Sequence, residues 1–257
     1  MVTGPAADRP VRLVLLHHAG GSRLVFRGWD RALPADWEVL AVDAPGRGFH
    51  HDLPALDNFD AMVEFVCGLA LAELDRPLAI FGHSMGGAVA TGVANRLIAR
   101  GGPVPVWLGV SGWGAERRTT AGAVERLRAE TSDDLRARLT KMGGTPASLF
   151  ADPVLWRMVE PLLREDLTVV ADHDPTADRS WLRVPLSLFG GRSDAVVSER
   201  RLTELAAAAK TLIGLHLYAG NHFYLTDHVI HVTRQIIADV RAALWARPDP
   251  VHLTKGA

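Results

Sequence analysis

The six residues Gly82-His83-Ser84-Met85-Gly86-Gly87 constrain this chain more than any other stretch. They follow the apolar run Leu78–Phe81 and precede a segment in which Val89, Val93 and Leu97 recur at helical spacing. A strand, a tight turn and a helix in that order lift the serine hydroxyl above the carboxyl end of a sheet. Glycines two residues before and after the serine suit so sharp a bend, because side chains there would collide. The amide of Met85, the first free one of the helix, then points at the serine with the helix dipole behind it. A phosphate-cradling loop is the competing reading, but no P-loop Lys-Ser/Thr follows the glycines.

The rest of the chain repeats the same alternation. Val11–Leu16, Glu38–Val42, Val104–Val110, Val184–Phe189 and Leu212–Tyr218 are short apolar runs that read as buried strands. Helical stripes lie between them: Phe59, Met62, Val63 and Val66; Leu202 and Leu205; and finally Val229, Val232, Ile236 and Val240. Continuously apolar strands alternating with helices imply a mostly parallel sheet covered on both faces. With the serine turn, this predicts an α/β protein of the α/β-hydrolase fold, one domain over residues 1–257, with residues 1–9 as a loose tail. The pattern breaks at about residues 113–172, where no strand is predicted. Two amphipathic helices are expected there, one capped by Ser132 and one opening at Asp152-Pro153. Such a helical insertion above the carboxyl ends of the strands reads as a lid, with Gly143-Gly144 as its hinge. The alternative is a rigid helical pair that completes the core.

Composition narrows the function. A formal net charge of −1 gives no argument for nucleic acid or an anionic membrane as partner. No stretch approaches the ~20 apolar residues of a membrane helix, and no signal peptide is visible. The one cysteine, Cys67, excludes an internal disulfide and falls on a helical apolar stripe, where it reads as a small buried hydrophobe. A cytoplasmic monomer is the expectation.

A serine hydroxyl needs an imidazole to take its proton. In this fold the acid and then the histidine follow the serine in sequence. Of His173, His216, His222, His228, His231 and His252, only His222 stands in a loop directly after a strand, in Gly220-Asn221-His222-Phe223. Asp194 stands in the same relation to the fifth strand and is the candidate orienting acid. It also suits a turn or helix cap. Asp166 and Asp172 are weaker candidates, because both belong to the insertion. The second oxyanion donor is expected in His17-His18-Ala19-Gly20-Gly21-Ser22, with the Ala19 amide first and Gly20 as the alternative. The His17-His18 and His50-His51 pairs invite a metal reading, but further ligands at suitable spacing are missing. No cofactor is expected.

With these residues in place the chain resembles the type II thioesterases, free-standing hydrolases that accompany nonribosomal peptide and polyketide synthases. The matching segments are Leu15 to Ser22, Ala44-Pro45-Gly46-Arg47-Gly48, Phe81 to Gly87, Gly190 to Asp194, and Gly220 to Phe223, with Pro161 to Asp166 in the insertion. The His-Ala-Gly-Gly-Ser and Pro-Gly-Arg segments discriminate most. The resemblance implies a Ser84-Asp194-His222 triad, with Ala19 and Met85 as oxyanion donors. It also implies a substrate: an acyl group on the phosphopantetheine arm of an acyl or peptidyl carrier protein, cleared when stalled or misprimed. His17 stands where that family usually has proline, and Asp43 is an acidic departure before Ala44-Pro45. A general carboxylesterase, or an acyltransferase or cyclase, would use the same triad. A non-catalytic binding protein would not need it.

Overall fold

The computed structural model describes residues 9–114, 122–143 and 147–246. Six strands form one parallel sheet: β1 (Arg12–Leu16), β2 (Glu38–Val42), β3 (Leu78–His83), β4 (Trp107–Ser111), β5 (Leu186–Gly191) and β6 (Leu212–Tyr218). Their spatial order is β2-β1-β3-β4-β5-β6. Alternate residues of each strand feed opposite faces, as a two-residue period requires. Val14, Leu16, Ile80, Leu108 and Leu188 pack with α1 (Phe59–Leu71) and α2 (Met85–Ala99). Leu13, Leu15, Phe81, Trp107 and Phe189 pack on the other face against Val232, Ile236 and Val240 of the C-terminal helix (Val229–Trp245). Both faces of β1, β3, β4 and β5 are covered, which is why these strands read as apolar runs, while the edge strands β2 and β6 are mostly half-buried. The fourth strand begins at Trp107; the expected Val104 is exposed ahead of it.

Among the described residues, four α-helices lie between β4 and β5 where two were expected: α3 (Ala123–Ala129), α4 (Ser132–Met142), α5 (Ala147–Ala151) and α6 (Pro153–Asp172). Two more helices follow, α7 (Glu199–Ala208) and α8 (Val229–Trp245). The insertion has a small core of its own, in which Leu135, Leu139, Trp156 and Leu163 meet. Asp152 caps α6 as expected, accepting from the amides of Val154 at 2.8 Å and Leu155 at 3.2 Å, with Pro153 at the first helical position. Ser132 does not cap α4. Thr131, one residue earlier, accepts from Asp134 N–H, and Ser132 Oγ instead accepts from the buried Trp156 indole at 2.8 Å. An indole N–H buried in an apolar cluster needs a partner, and this hydroxyl supplies it. Gly143 ends α4 with φ 77°; Gly144, the other expected hinge residue, lies outside the described residues.

The junction of β3 with α2 is the tightest place in the sheet. A Cβ at Gly82 would overlap the Gly86 carbonyl, and one at Gly86 would overlap the Leu16 carbonyl at the end of β1. These atoms are backbone and cannot swing away. We therefore expect Gly82→Ala to lower stability by about 3 kcal/mol or more, in the range of the severe core substitutions. Urea denaturation followed by circular dichroism checks this, and a midpoint close to that of the wild type would refute it.

Candidate active site

Ser84 holds φ 57° and ψ −114°. A side chain in so rare a conformation costs roughly 1–3 kcal/mol and persists only where its surroundings impose it. Three segments do so. Ser84 N–H donates to the Ser111 carbonyl of β4 at 2.8 Å, and Gly86 N–H donates to the His17 carbonyl at 3.1 Å. The Ser84 carbonyl accepts from Gly87 and Ala88 at 2.9 and 3.1 Å. Met85 opens α2, so its N–H is among those that find no acceptor within the helix.

Two further loops at the carboxyl ends of strands bring His222 and Asp194 together. His222 Nδ1 lies 2.8 Å from Asp194 Oδ2, with both side chains buried. Asp194 Oδ1 accepts from the amides of Val196 at 2.7 Å and Val197 at 3.0 Å. The same carboxylate thus serves a turn and a histidine. A carboxylate on Nδ1 favours the tautomer protonated there and leaves Nε2 with a lone pair. That Nε2 is buried, with no hydrogen-bond partner among the described residues. Buried polar atoms are seldom left unpaired, and here the orphan is a proton acceptor. Contact from Ser84 Oγ to this nitrogen is not made in this structure; such catalytic hydrogen bonds often tighten only with substrate bound.

The other candidates are engaged elsewhere. Asp166 forms a two-pronged ion pair with Arg47, which donates from Nη1 to Oδ2 at 2.6 Å and from Nη2 to Oδ1 at 2.7 Å. Its Oδ2 also accepts Gly20 N–H at 2.7 Å, so Gly20, the alternative oxyanion donor, is already committed. Asp172 accepts from Asn58 and from Phe59 N–H at the start of α1. His216 bonds Asp239, His228 bonds the Ala219 carbonyl, and His173 stacks on Phe59. His252 lies outside the described residues. The Arg47–Asp166 pair is a feature that the sequence reading missed. Both residues stood in segments singled out for resemblance, but nothing in the sequence joins positions so far apart.

Three more imidazoles line the site. His17 Nδ1 lies 2.7 Å from the His18 carbonyl, and its Nε2 accepts Ala44 N–H at 3.2 Å. His18 Nδ1 lies 2.9 Å from the Ala19 carbonyl, and its ring meets Phe223 edge-on. His83 Nδ1 lies 2.8 Å from Ser111 Oγ, which in turn lies 2.7 Å from the Tyr224 hydroxyl. Burial pushes all three pKa values down, His18 to about 4 and His83 well below its usual range. They are therefore neutral around pH 7, and each ring nitrogen facing a carbonyl carries the proton. Among the described residues, no three His, Cys, Asp or Glu side chains gather as a metal-ligand set.

A family model described as "Thioesterase domain" matches residues 11–240. The chain belongs to the thioesterase family. It is a hydrolase with the α/β-hydrolase fold. The "Thioesterase PikA5" of Streptomyces venezuelae is 34% identical, over 98% of this chain and 91% of that protein. Among solved structures, the RedJ thioesterase from the prodiginine biosynthetic pathway of Streptomyces coelicolor superposes with a TM-score of 0.77 at 28% identity, covering 93% of this thioesterase and 91% of RedJ. YbtT, a type II thioesterase from the yersiniabactin NRPS/PKS pathway, gives a TM-score of 0.77 at 28% identity, with 92% and 95% covered. Among the described residues, no helix is long and apolar enough to cross a membrane.

The buried neutral histidines carry a pH signature. An unfolded His18 takes up a proton near its ordinary value of 6.5, whereas the folded one does so only near 4. As pH falls from about 6.5 to about 4 the unfolded chain binds more protons, so stability is present above this window and is lost through it. We expect the melting temperature to fall across that range. His18→Asn, which keeps a donor near the Nδ1 position, should reduce the slope; an unchanged slope would show that His18 carries none of it.

Proposed function

We propose that this thioesterase hydrolyses acyl groups from the phosphopantetheine arm of an acyl or peptidyl carrier protein, clearing stalled or misprimed synthases. The observation that carries the chemistry is the buried, unpartnered His222 Nε2, whose ring is fixed from behind by Asp194. In this reading Ser84 Oγ attacks the thioester carbonyl and passes its proton to His222 Nε2. Asp194 holds the tautomer and stabilises the imidazolium that forms. Negative charge on the carbonyl oxygen is met by the Ala19 and Met85 amides. One such donor is typically worth about 3–4 kcal/mol of barrier. The collapsing intermediate expels the thiolate, which takes the proton from His222. Water then gives a proton to His222 as it attacks the acyl-serine ester, and His222 returns that proton to Ser84 Oγ as the acid leaves. No cofactor enters any step.

The names of the relatives support the substrate class, since PikA5 is a thioesterase and YbtT belongs to an NRPS/PKS pathway. We read residues 113–172 as a lid within a single domain. Val154, Leu155 and Met158, exposed along the first turns of α6, supply apolar surface suited to an acyl chain. The enzyme would act as a cytoplasmic monomer alongside its carrier protein.

Two expectations follow. A fluorophosphonate probe should label the wild type and not Ser84→Ala. Absence of labelling in folded wild-type protein would favour a non-catalytic binding role. Turnover of an acyl group should be faster on a phosphopantetheinylated carrier protein than on a small thiol or a simple ester, and Ser84→Ala should abolish it. Equal or better turnover of the simple ester would remove the carrier protein from the proposal and leave a general serine esterase.

A further inference from the structure

The Ala19 amide is aimed by its neighbours, and one of them comes from the helical insertion. A trans peptide points its C=O and its N–H in opposite directions, so fixing either one fixes the other. The peptide joining His18 to Ala19 is held at its carbonyl, which accepts from Gly21 N–H at 3.0 Å and from His17 Nδ1 at 2.7 Å. The Ala19 N–H is thereby turned the opposite way, and no acceptor among the described residues takes it up. The next peptide, Ala19 to Gly20, is held at both ends. His18 Nδ1 donates to its carbonyl at 2.9 Å, and its N–H donates to Asp166 Oδ2 at 2.7 Å. Arg47 closes the arrangement, donating to both Asp166 oxygens and, at 3.0 Å, to the Gly21 carbonyl.

Three of these constraints belong to the loop itself. The fourth, Asp166, stands on α6 and is fully buried. The same helix presses Leu163 against Gly20 and Leu162 against Gly46, each so closely that a Cβ on the glycine would stand only 2.9 Å from the leucine. The insertion and the loop after β1 therefore meet through a charged, doubly hydrogen-bonded contact set in apolar packing.

We propose that Asp166, held by Arg47, is a positioning residue that fixes the Ala19 amide for the developing oxyanion, so that the hole is complete only while α6 is docked. This rests on the proposed serine chemistry with Ala19 as a donor, and labelling of the wild type tests that chemistry apart from the role of Asp166. Asp166 touches neither substrate nor Ser84; it acts through Gly20. Its effect should therefore fall on kcat with little change in KM, because an oxyanion donor acts mainly in the transition state.

The experiment compares wild type, Asp166→Asn, Arg47→Lys and, as a control, Glu160→Gln in the full chain. Glu160 pairs with Arg164 and Ser132 inside the insertion, away from Gly20. Active sites are counted with a fluorophosphonate, and rates per labelled site are measured on an ester and on its thionoester. Sulfur is a larger and weaker acceptor, so an intact oxyanion hole favours the oxygen substrate. We expect Asp166→Asn to lose roughly tenfold or more in kcat, short of the full loss of a donor. The ester-to-thionoester ratio should fall with it, and Arg47→Lys should lie between. Glu160→Gln should lower the melting temperature and leave both kcat and the ratio unchanged. An Asp166→Asn kcat near that of the wild type, or a fall in kcat with an unchanged ratio, would overturn the proposal. If Asp166→Asn does not fold, Arg47→Lys decides by the same two readings. Failure of the wild type to label would remove the catalytic reading itself, and this inference with it.

Discussion

The strand-to-helix junction at Ser84 is the constraint around which the rest of the molecule is arranged. The serine sits at a positive φ that its own side chain disfavours, and it is held there by Ser111 of β4 and by the first turn of α2. Gly86 lies so close to the end of β1 that only a hydrogen can occupy its side-chain position. Its amide then donates to His17 in that same strand's loop. The Ser84 turn and the loop after β1 are thus one hydrogen-bonded unit across three strands. A change in the packing of β1 against β3 would reach both together.

Two buried aspartates near the site show how partners decide the work of identical groups. Asp194 faces a histidine and two amides, so its charge is available to an imidazolium that forms beside it. Asp166 faces a guanidinium and an amide, so its charge is neutralised and its role is geometric. Such a buried pair gives weak evidence of net stabilisation, but removing one partner costs roughly 3–5 kcal/mol because the other charge is left stranded. The surrounding histidines follow the opposite rule. Buried without a carboxylate in hydrogen-bond contact, His17, His18 and His83 lose their charge and serve as neutral donors to carbonyl and hydroxyl oxygens.

The helical insertion joins the sheet by both kinds of contact. Val169 of α6 enters the apolar core beside α1 and α2, while Asp172 caps the start of α1. The outer face of the same helix leaves Val154, Leu155 and Met158 exposed. One end of α6 is thus built into the fold and the other stands apart from it.

Much of this was legible in the sequence because it depends on local periodicity and on chain order. Continuous apolar runs gave the six strands, since a sheet covered on both faces needs apolar residues at every position. The elbow glycines, and the places of Asp194 and His222 directly after β5 and β6, needed only order along the chain. The insertion was read less well. Helix α3 buries none of its residues and α5 has only five, so neither carries an apolar stripe to detect. Thr131 and Ser132 are both able caps, and the choice fell to the buried Trp156 indole. Only the tertiary structure joined Arg47 to Asp166 and both to Gly20, because a contact across 119 positions leaves no period in the sequence. The sequence determined where Ser84, Asp194 and His222 stand along the chain and which strand each follows. Packing decided which amides remained free to take part, because a backbone N–H becomes a donor to substrate only when every competing acceptor has been given another partner.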